Sequence, residues 1–244
     1  MSPSEYVDVE PAAVVALDYP GTPAPASGVL DGDRFWIGRE LDRLDDRTMV
    51  LAVGSNAAPS VLADKLRRVG VTGSVGMVRT EVAGLAVGYS AHVSRRGYIP
   101  AGPYAAAGHT TGVALWLTEP QRSAIDATEP NYDRIALHRD DHPLRVELGE
   151  PPATFGVYVS RRGVLAVDGV PLRLGTQREL YSRLAGVAEL ATLAPWDDAE
   201  AAAHALTDPA VQVRIRAGFV AASWIADARI ASAGQAVDPI DRQP

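Results

Sequence analysis

The segment Met49-Val50-Leu51-Ala52-Val53 is an apolar run of strand type that stops abruptly at Gly54-Ser55-Asn56. A helix start follows at about Pro59, with Leu62, Leu66 and Val69 recurring at helical spacing. Strand, tight polar turn and helix N-terminus in that order leave several backbone N–H groups without intrahelical partners. Such donors beside the positive end of a helix favour a carboxylate or a developing oxyanion. Gly54 lets the backbone approach a ligand closely. The same residues also suit an ordinary strand-to-helix connection, because small polar residues dominate turns of this kind.

From Met49 to about Arg173 the pattern mixes α and β. Leu85–Tyr89, Val113–Leu117, Ile135–His138 and Thr154–Val159 are apolar runs of strand length. Helix patterns in this stretch are confined to the segment after Asn56 and a short one near Gln121. Strands outnumbering helices argue against a doubly wound sheet. The expected class is α+β, with a small, curved mixed β-barrel or sheet flanked by helices and a helical C-terminal extension. Residues 1–48 read as an N-terminal extension, 49–174 as the central domain and 175–244 as the helical extension. Within the first segment, Val14–Leu17 suggests a short strand, Pro20–Pro25 a linker and Phe35-Trp36-Ile37 an anchor. In the last segment, Leu180, Leu184 and Val187 form one stripe, and Asp197 and Asp198 precede a short helix through 199–202. A longer helix is predicted from Pro209 to before Gly234, burying Val211, Ile215, Phe219 and Ile225, followed by a polar tail at 237–244.

Net charge is −7 with acids and bases interspersed, which argues against a nucleic-acid partner and against anionic membrane surfaces. The chain has no cysteine, so thiol nucleophiles, disulfides and cysteine-ligated metals are excluded. Met1–Glu5 carries neither a basic nor an apolar leader pattern, and no apolar run approaches the ~20 residues that span a bilayer. The expectation is a cytoplasmic protein.

A second informative stretch runs from Thr118 to Tyr132. Thr118 and Gln121 have capping-box spacing, so a helix starts directly after the Val113 strand. Pro130 ends it and biases Glu129 toward extended backbone. Glu129 therefore projects close to where the sheet resumes, with Tyr132 three residues on. A carboxylate there is either a solvated helix-end acid or a general base in a partly desolvated pocket. His138 and His142 stand four apart, but on what reads as a turn, so metal binding is not expected. Ser55 lacks the glycine that a nucleophile elbow needs two residues later, and nothing in the sequence brings His92 or His109 to it. Tyr98-Ile99-Pro100 reads as a turn packed on the core. Val93–Gly97 recurs as Val159–Gly163, either as two similar turns or as paired arginine clusters that grip anions.

Together these motifs carry a resemblance. Leu51–Asn56 resembles the Tyr-Gly-Ser-Asn strand-loop of the γ-glutamyl cyclotransferase-like superfamily, and Ile125–Glu129 with Tyr132 resembles its Leu-Asp-x-x-Glu signature and following tyrosine. Gly108–Thr118 is similar to the strand leading into that signature, and Gly97–Pro100 to a pocket-side loop. The likeness spans residues 49–170. The superfamily also resembles stress-induced plant proteins and antibiotic-pathway enzymes that remove a protecting γ-glutamyl group. The resemblance implies a partly closed β-barrel flanked by helices. It also implies an enzyme that cyclises a small-molecule γ-glutamyl substrate to 5-oxoproline without metal or cofactor. By the same resemblance Glu129 is the general acid/base, and Val53, Gly54, Ser55, Asn56 and Tyr132 form the substrate-binding set. Val53 stands where the family has tyrosine, and Pro130 where glycine is commoner. The alternative is a non-catalytic binding or scaffold module on the same fold, and a homo-oligomer through the C-terminal helices is a further expectation.

Overall fold

The computed structural model describes residues 5–230. In chain order the strands and helices are β1 (Tyr6–Asp8), β2 (Gly28–Asp31), β3 (Arg34–Ile37), β4 (Arg47–Ala52), α1 (Pro59–Arg68), β5 (Val75–Tyr89), β6 (Ala101–Thr118) and α2 (Glu119–Asp126). They continue with β7 (Tyr132–His138), β8 (Leu144–Val146), β9 (Thr154–Ser160), β10 (Val164–Val167), β11 (Val170–Pro171), α3 (Gln177–Ala185), α4 (Ala199–Ala205), α5 (Pro209–Ala221) and β12 (Ile225–Ala226). The class is mixed α+β, as the patterning predicts.

The spine is the β5–β6 hairpin, whose arms pair from Gly76–Trp116 to Tyr89–Ala101. Its register shifts between Ala83 and Leu85, where Gly84 takes φ +78°. Three residues of β6, 106–108, stand opposite Gly84 alone, and this irregularity bends and twists the ladder, so the two halves of the hairpin serve different parts of the molecule. The large sheet is ordered β1-β3-β2-β5-β6-β4-β9-β7, with β8 added beside β5. β4 and β9 pair in parallel and the other neighbours are antiparallel. The pairing follows one open path, with no ladder joining β7 to β1 among the described residues.

Apolar residues cover both faces of this sheet. Val50, Leu62, Leu66, Met77, Leu115 and Ile125 pack one side beneath α1 and α2. Met49, Leu51, Val82, Leu137, Phe155 and Val157 pack the other. The helix termini follow local chemistry. Pro59 opens α1 at a position whose N–H needs no partner, and Lys65, Arg67 and Arg68 complement the dipole at its end. The predicted capping box opens α2, with Gln121 Oε1 accepting the Thr118 N–H at 3.0 Å. Val69, expected on the α1 stripe, lies just past the helix and is exposed.

The N-terminal segment, residues 1–48, contributes strands to the main sheet. β2 and β3 form a hairpin whose β2 pairs with β5, so this segment extends the main sheet. The expected strand at Val14–Leu17 is a single 3-10 turn at Ala16–Asp18. In the C-terminal segment α3, α4 and α5 occur where the periodicity places helices, and Tyr181, Leu190, Trp196, Ile215 and Phe219 form their common core with Tyr89 and Ile99. The last helix is shorter than expected. It ends at Ala221, and Ile225 belongs to β12, which pairs with β10 beyond a turn at Ser223 of φ +57°. The polar tail expected at 237–244 lies outside the described residues.

Phe35 is 1% exposed and joins the core with Leu30, Leu62 and Met77. Phe35→Ala should therefore cost about 3–5 kcal/mol in a denaturant titration. A loss below ~1 kcal/mol would mean that the hairpin is only an appended adapter.

Candidate active site

β4, an interior strand, ends at Ala52, and Val53–Gly54 leads into a single 3-10 turn at Ser55–Ala57 before α1 begins. Ala57 N–H and Ala58 N–H donate to Gly54 and Ser55 carbonyls. The N–H groups of Gly54, Ser55 and Asn56 have no acceptor in hydrogen-bonding geometry among the described residues, although that of Ser55 is directed toward the Tyr19 hydroxyl oxygen. Here the strand–turn–helix pattern has its consequence: a cluster of donors in the 3-10 turn that precedes α1.

Glu129 reaches this loop from the far side. α2 ends at Asp126, three residues earlier than a helix stopping at Glu129, and successive turns carry the chain through Ala127, Thr128 and Glu129 into β7. Asp126 fixes these turns. Its carboxylate accepts both Arg134 Nε at 2.9 Å and Arg134 Nη2 at 3.1 Å, and it also accepts the Tyr158 hydroxyl. Bidentate pairing of this kind sets orientation as well as energy. α2 is thereby tied to β7 and β9, and the Glu129 turn is held over the cavity.

The cavity has a volume of about 560 Å³. Val53, Gly54, Ser55, Asn56, Glu129 and Tyr132 all line it, although 73 residues separate Asn56 from Glu129. Glu129 Oε1 accepts Asn56 Nδ2 at 3.0 Å and Lys65 Nζ at 2.7 Å, while Lys65 Nζ also donates to Asn56 Oδ1 at 2.7 Å. Glu129 Oε2 accepts no hydrogen bond among the described residues. One oxygen is clamped and the other is open to the cavity. The side chains of Lys65 and Glu129 are only 18% and 16% exposed, so the pair is largely withdrawn from solvent.

Lys65 carried no signal in the motif reading. It does stand at i+4 from Val61 and i+3 from Leu62, on the buried stripe of α1, where a lysine is out of pattern. Tyr19 and Tyr158, missed as site residues, line the cavity with Tyr132 and with Tyr98, which belongs to the loop that the resemblance put beside the pocket. Tyr98 is thus a cavity wall and not only a turn packed on the core. Burial raises all four phenols above their ordinary pKa, and the charge of Glu129 raises each further. Tyr132 donates its hydroxyl to the Ala101 carbonyl at 2.7 Å, so its contribution to the cavity is the ring.

The remaining candidates sort themselves by position. His92 lines the cavity, but its Nδ1 shares a 2.6 Å hydrogen bond with Ser90 and not with Ser55. Ser90 continues to Ser160 at 2.6 Å, which makes a buried chain of polar side chains behind His92. His109 lies in β6 and lines a separate depression with Glu81 and Arg139. His138 ends β7, and His142 sits in the following turn with Nδ1 3.2 Å from the Ala83 carbonyl. The repeated Val-Ser-Arg-Arg-Gly motif forms two turns, with Gly97 at φ +81° and Gly163 at φ +77°. Arg216 of α5 stitches them together by donating to the Ala91 and Arg162 carbonyls. Arg95 and Arg96 of the first turn line the cavity mouth.

Burial, followed by the charges of Arg162 and Arg216, pushes His92 down from 6.5 to about 4. Between those values the unfolded chain binds a proton that the folded chain does not, so stability rises with pH across the window and is lost as pH falls through it. The loss is on the order of 3 kcal/mol. Calorimetric melting between pH 6.5 and 4 should show a falling midpoint, and His92→Gln should flatten that slope; an unchanged slope would remove the burial argument. Compared with known proteins, the chain matches no family model, no curated protein and no solved structure.

Proposed function

We propose that the chain is a γ-glutamyl cyclotransferase-like enzyme that converts a γ-glutamyl amine, amide or peptide into 5-oxoproline and a free amine or amino acid. The observation that carries the reading is the meeting of one half-open carboxylate with one cluster of unpaired peptide donors in a single cavity. We take the curved sheet to be the partly closed barrel of that superfamily. A cytoplasmic setting belongs to the same proposal, as does self-association through the C-terminal helices, where Val213 and Val220 of α5 stand exposed.

Glu129 Oε2 accepts a proton from the substrate α-ammonium. The freed amine attacks its own γ-carbonyl carbon, and the carbonyl oxygen takes up negative charge. N–H groups of Gly54, Ser55 and Asn56 stabilise that oxygen, each such donor being typically worth a few kcal/mol of barrier. The tetrahedral centre collapses with cleavage of the γ-carbon–nitrogen bond as Glu129 returns its proton to the departing nitrogen; the freed carboxylate then takes the second proton from the ring nitrogen and passes it to the released amine, which leaves as its ammonium. No water is consumed. Ring closure is intramolecular, so orientation supplies much of the remaining acceleration. Asn56 and Lys65 hold Oε1 and so fix the direction of Oε2.

One observation favours a second reading, a non-catalytic binding module. Lys65 already neutralises Glu129 at 2.7 Å, as a purely structural ion pair would. The two readings separate when purified protein is incubated with a panel of γ-glutamyl compounds and 5-oxoproline is measured by mass spectrometry. The enzyme reading expects product from at least one compound. It also expects a loss of about 10³-fold or more in Glu129→Gln. That variant should melt within a few degrees of wild type, because its amide oxygen still accepts from Lys65 and Asn56. A compound that raises the melting temperature without yielding product would favour the binding module.

A further inference from the structure

Tyr19 comes from the segment that precedes the main strands, yet it stands at the heart of the cavity. Residues 12–24 dock on the loop and on the start of α1. Ala12 N–H donates to the Ser60 carbonyl at 3.2 Å, and Ala24 N–H to the Ala57 carbonyl at 2.9 Å. The Tyr19 ring stacks on Tyr98 with centroids 4.2 Å apart and planes 20° from parallel. Its hydroxyl oxygen lies 2.8 Å from where a Cβ on Gly54 would stand, so the hydrogen side chain at position 54 is what admits it to the loop.

The bonding of that hydroxyl is one-sided. Its oxygen accepts the Ala101 N–H at 2.7 Å, and the Ser55 backbone exerts a weaker pull on the same oxygen. Tyr132 acts in the opposite sense on the same residue, donating to the Ala101 carbonyl. Ala101 is thus clasped by two phenols, one donating and one accepting. The Tyr132 proton is committed; the Tyr19 proton has no acceptor among the described residues. An O–H whose oxygen already accepts a hydrogen bond is a stronger donor. Burial raises Tyr19 far above the ordinary phenol range, so it remains protonated at physiological pH.

We infer that Tyr19 is a further catalytic residue, whose phenol O–H donates to the reacting carbonyl oxygen beside the N–H groups of Gly54, Ser55 and Asn56. The inference rests on the cyclotransferase reading. It gives the N-terminal segment a chemical role, and it supplies a hydroxyl to a loop in which Val53 offers only backbone. The hydrogen bond strengthens as charge develops on the oxygen, and no proton is transferred to it.

Tyr19→Phe keeps the ring, the stack and the burial, and removes only the hydroxyl. With a substrate that wild type converts, kcat should fall about 10²-fold while KM changes less than about threefold. Binding of 5-oxoproline by calorimetry should persist. If kcat stays within threefold of wild type, or if KM alone rises, Tyr19 only packs and the inference is overturned while the enzyme reading stands. If wild type converts no γ-glutamyl compound, that reading fails and takes the inference with it. Should Tyr19→Phe not fold, a ring-fluorinated tyrosine at position 19 keeps every contact and strengthens the O–H as a donor. A change in kcat then supports the inference, and an unchanged kcat overturns it.

Discussion

The hydrogen-bonded trio of Lys65, Glu129 and Asn56 is the contact on which the rest of the site depends. It joins three separate pieces of chain: the end of α1, the turn between α2 and β7, and the loop after β4. Each piece reaches the cavity for its own local reason. A capping box starts α2, Asp126 with Arg134 and Tyr158 anchors its end, and a proline opens α1. None of these would bring an acid to the loop without the others. Removing one member of a buried, hydrogen-bonded pair leaves the other without a partner, and the cost is then the full desolvation of that group. The trio therefore acts as a fastener between these three pieces of chain.

What the sequence makes legible is what local chemistry determines. Met49–Asn56 followed by Pro59 reads as strand, turn and helix because each residue type has a local reason to be there. Thr118 with Gln121 reads as a helix start for the same reason. Glu129 and the loop could be named as partners only through their joint resemblance to a family pattern, because nothing local tells one end of a 73-residue separation about the other.

The parts that were not legible are non-local or very short. Tyr19 sits next to a Pro-Gly segment whose composition says only linker, and its placement depends on Tyr98, Gly54 and Ala101 far along the chain. β12 is two residues long and owes its existence to pairing with β10, so helical periodicity naturally extended across it. The β2–β3 hairpin carries turn chemistry at Gly32, but only the edge of β5 makes it part of the sheet. Lys65 is the instructive exception. It broke the apolar stripe of α1 visibly, and a charged residue on a buried stripe is a signal that motif matching passes over.

The position of Lys65 also bears on the chemistry. On the proposed reading, a substrate ammonium approaching Glu129 Oε2 enters beside an ammonium that already holds Oε1. Two like charges then share one carboxylate in a site largely withdrawn from water. A like charge nearby disfavours the protonated form of an ionisable group, and a low local dielectric enlarges the effect. Lys65 is held in place by Asn56 as well as by Glu129, so it stays beside the carboxylate as the substrate amine approaches. The substrate's proton must leave before the nitrogen can attack the γ-carbonyl. On that reading Lys65 is a positioning group: Asn56 fixes the lysine, the lysine and Asn56 together fix Oε1, and Oε2 is left facing the approaching substrate.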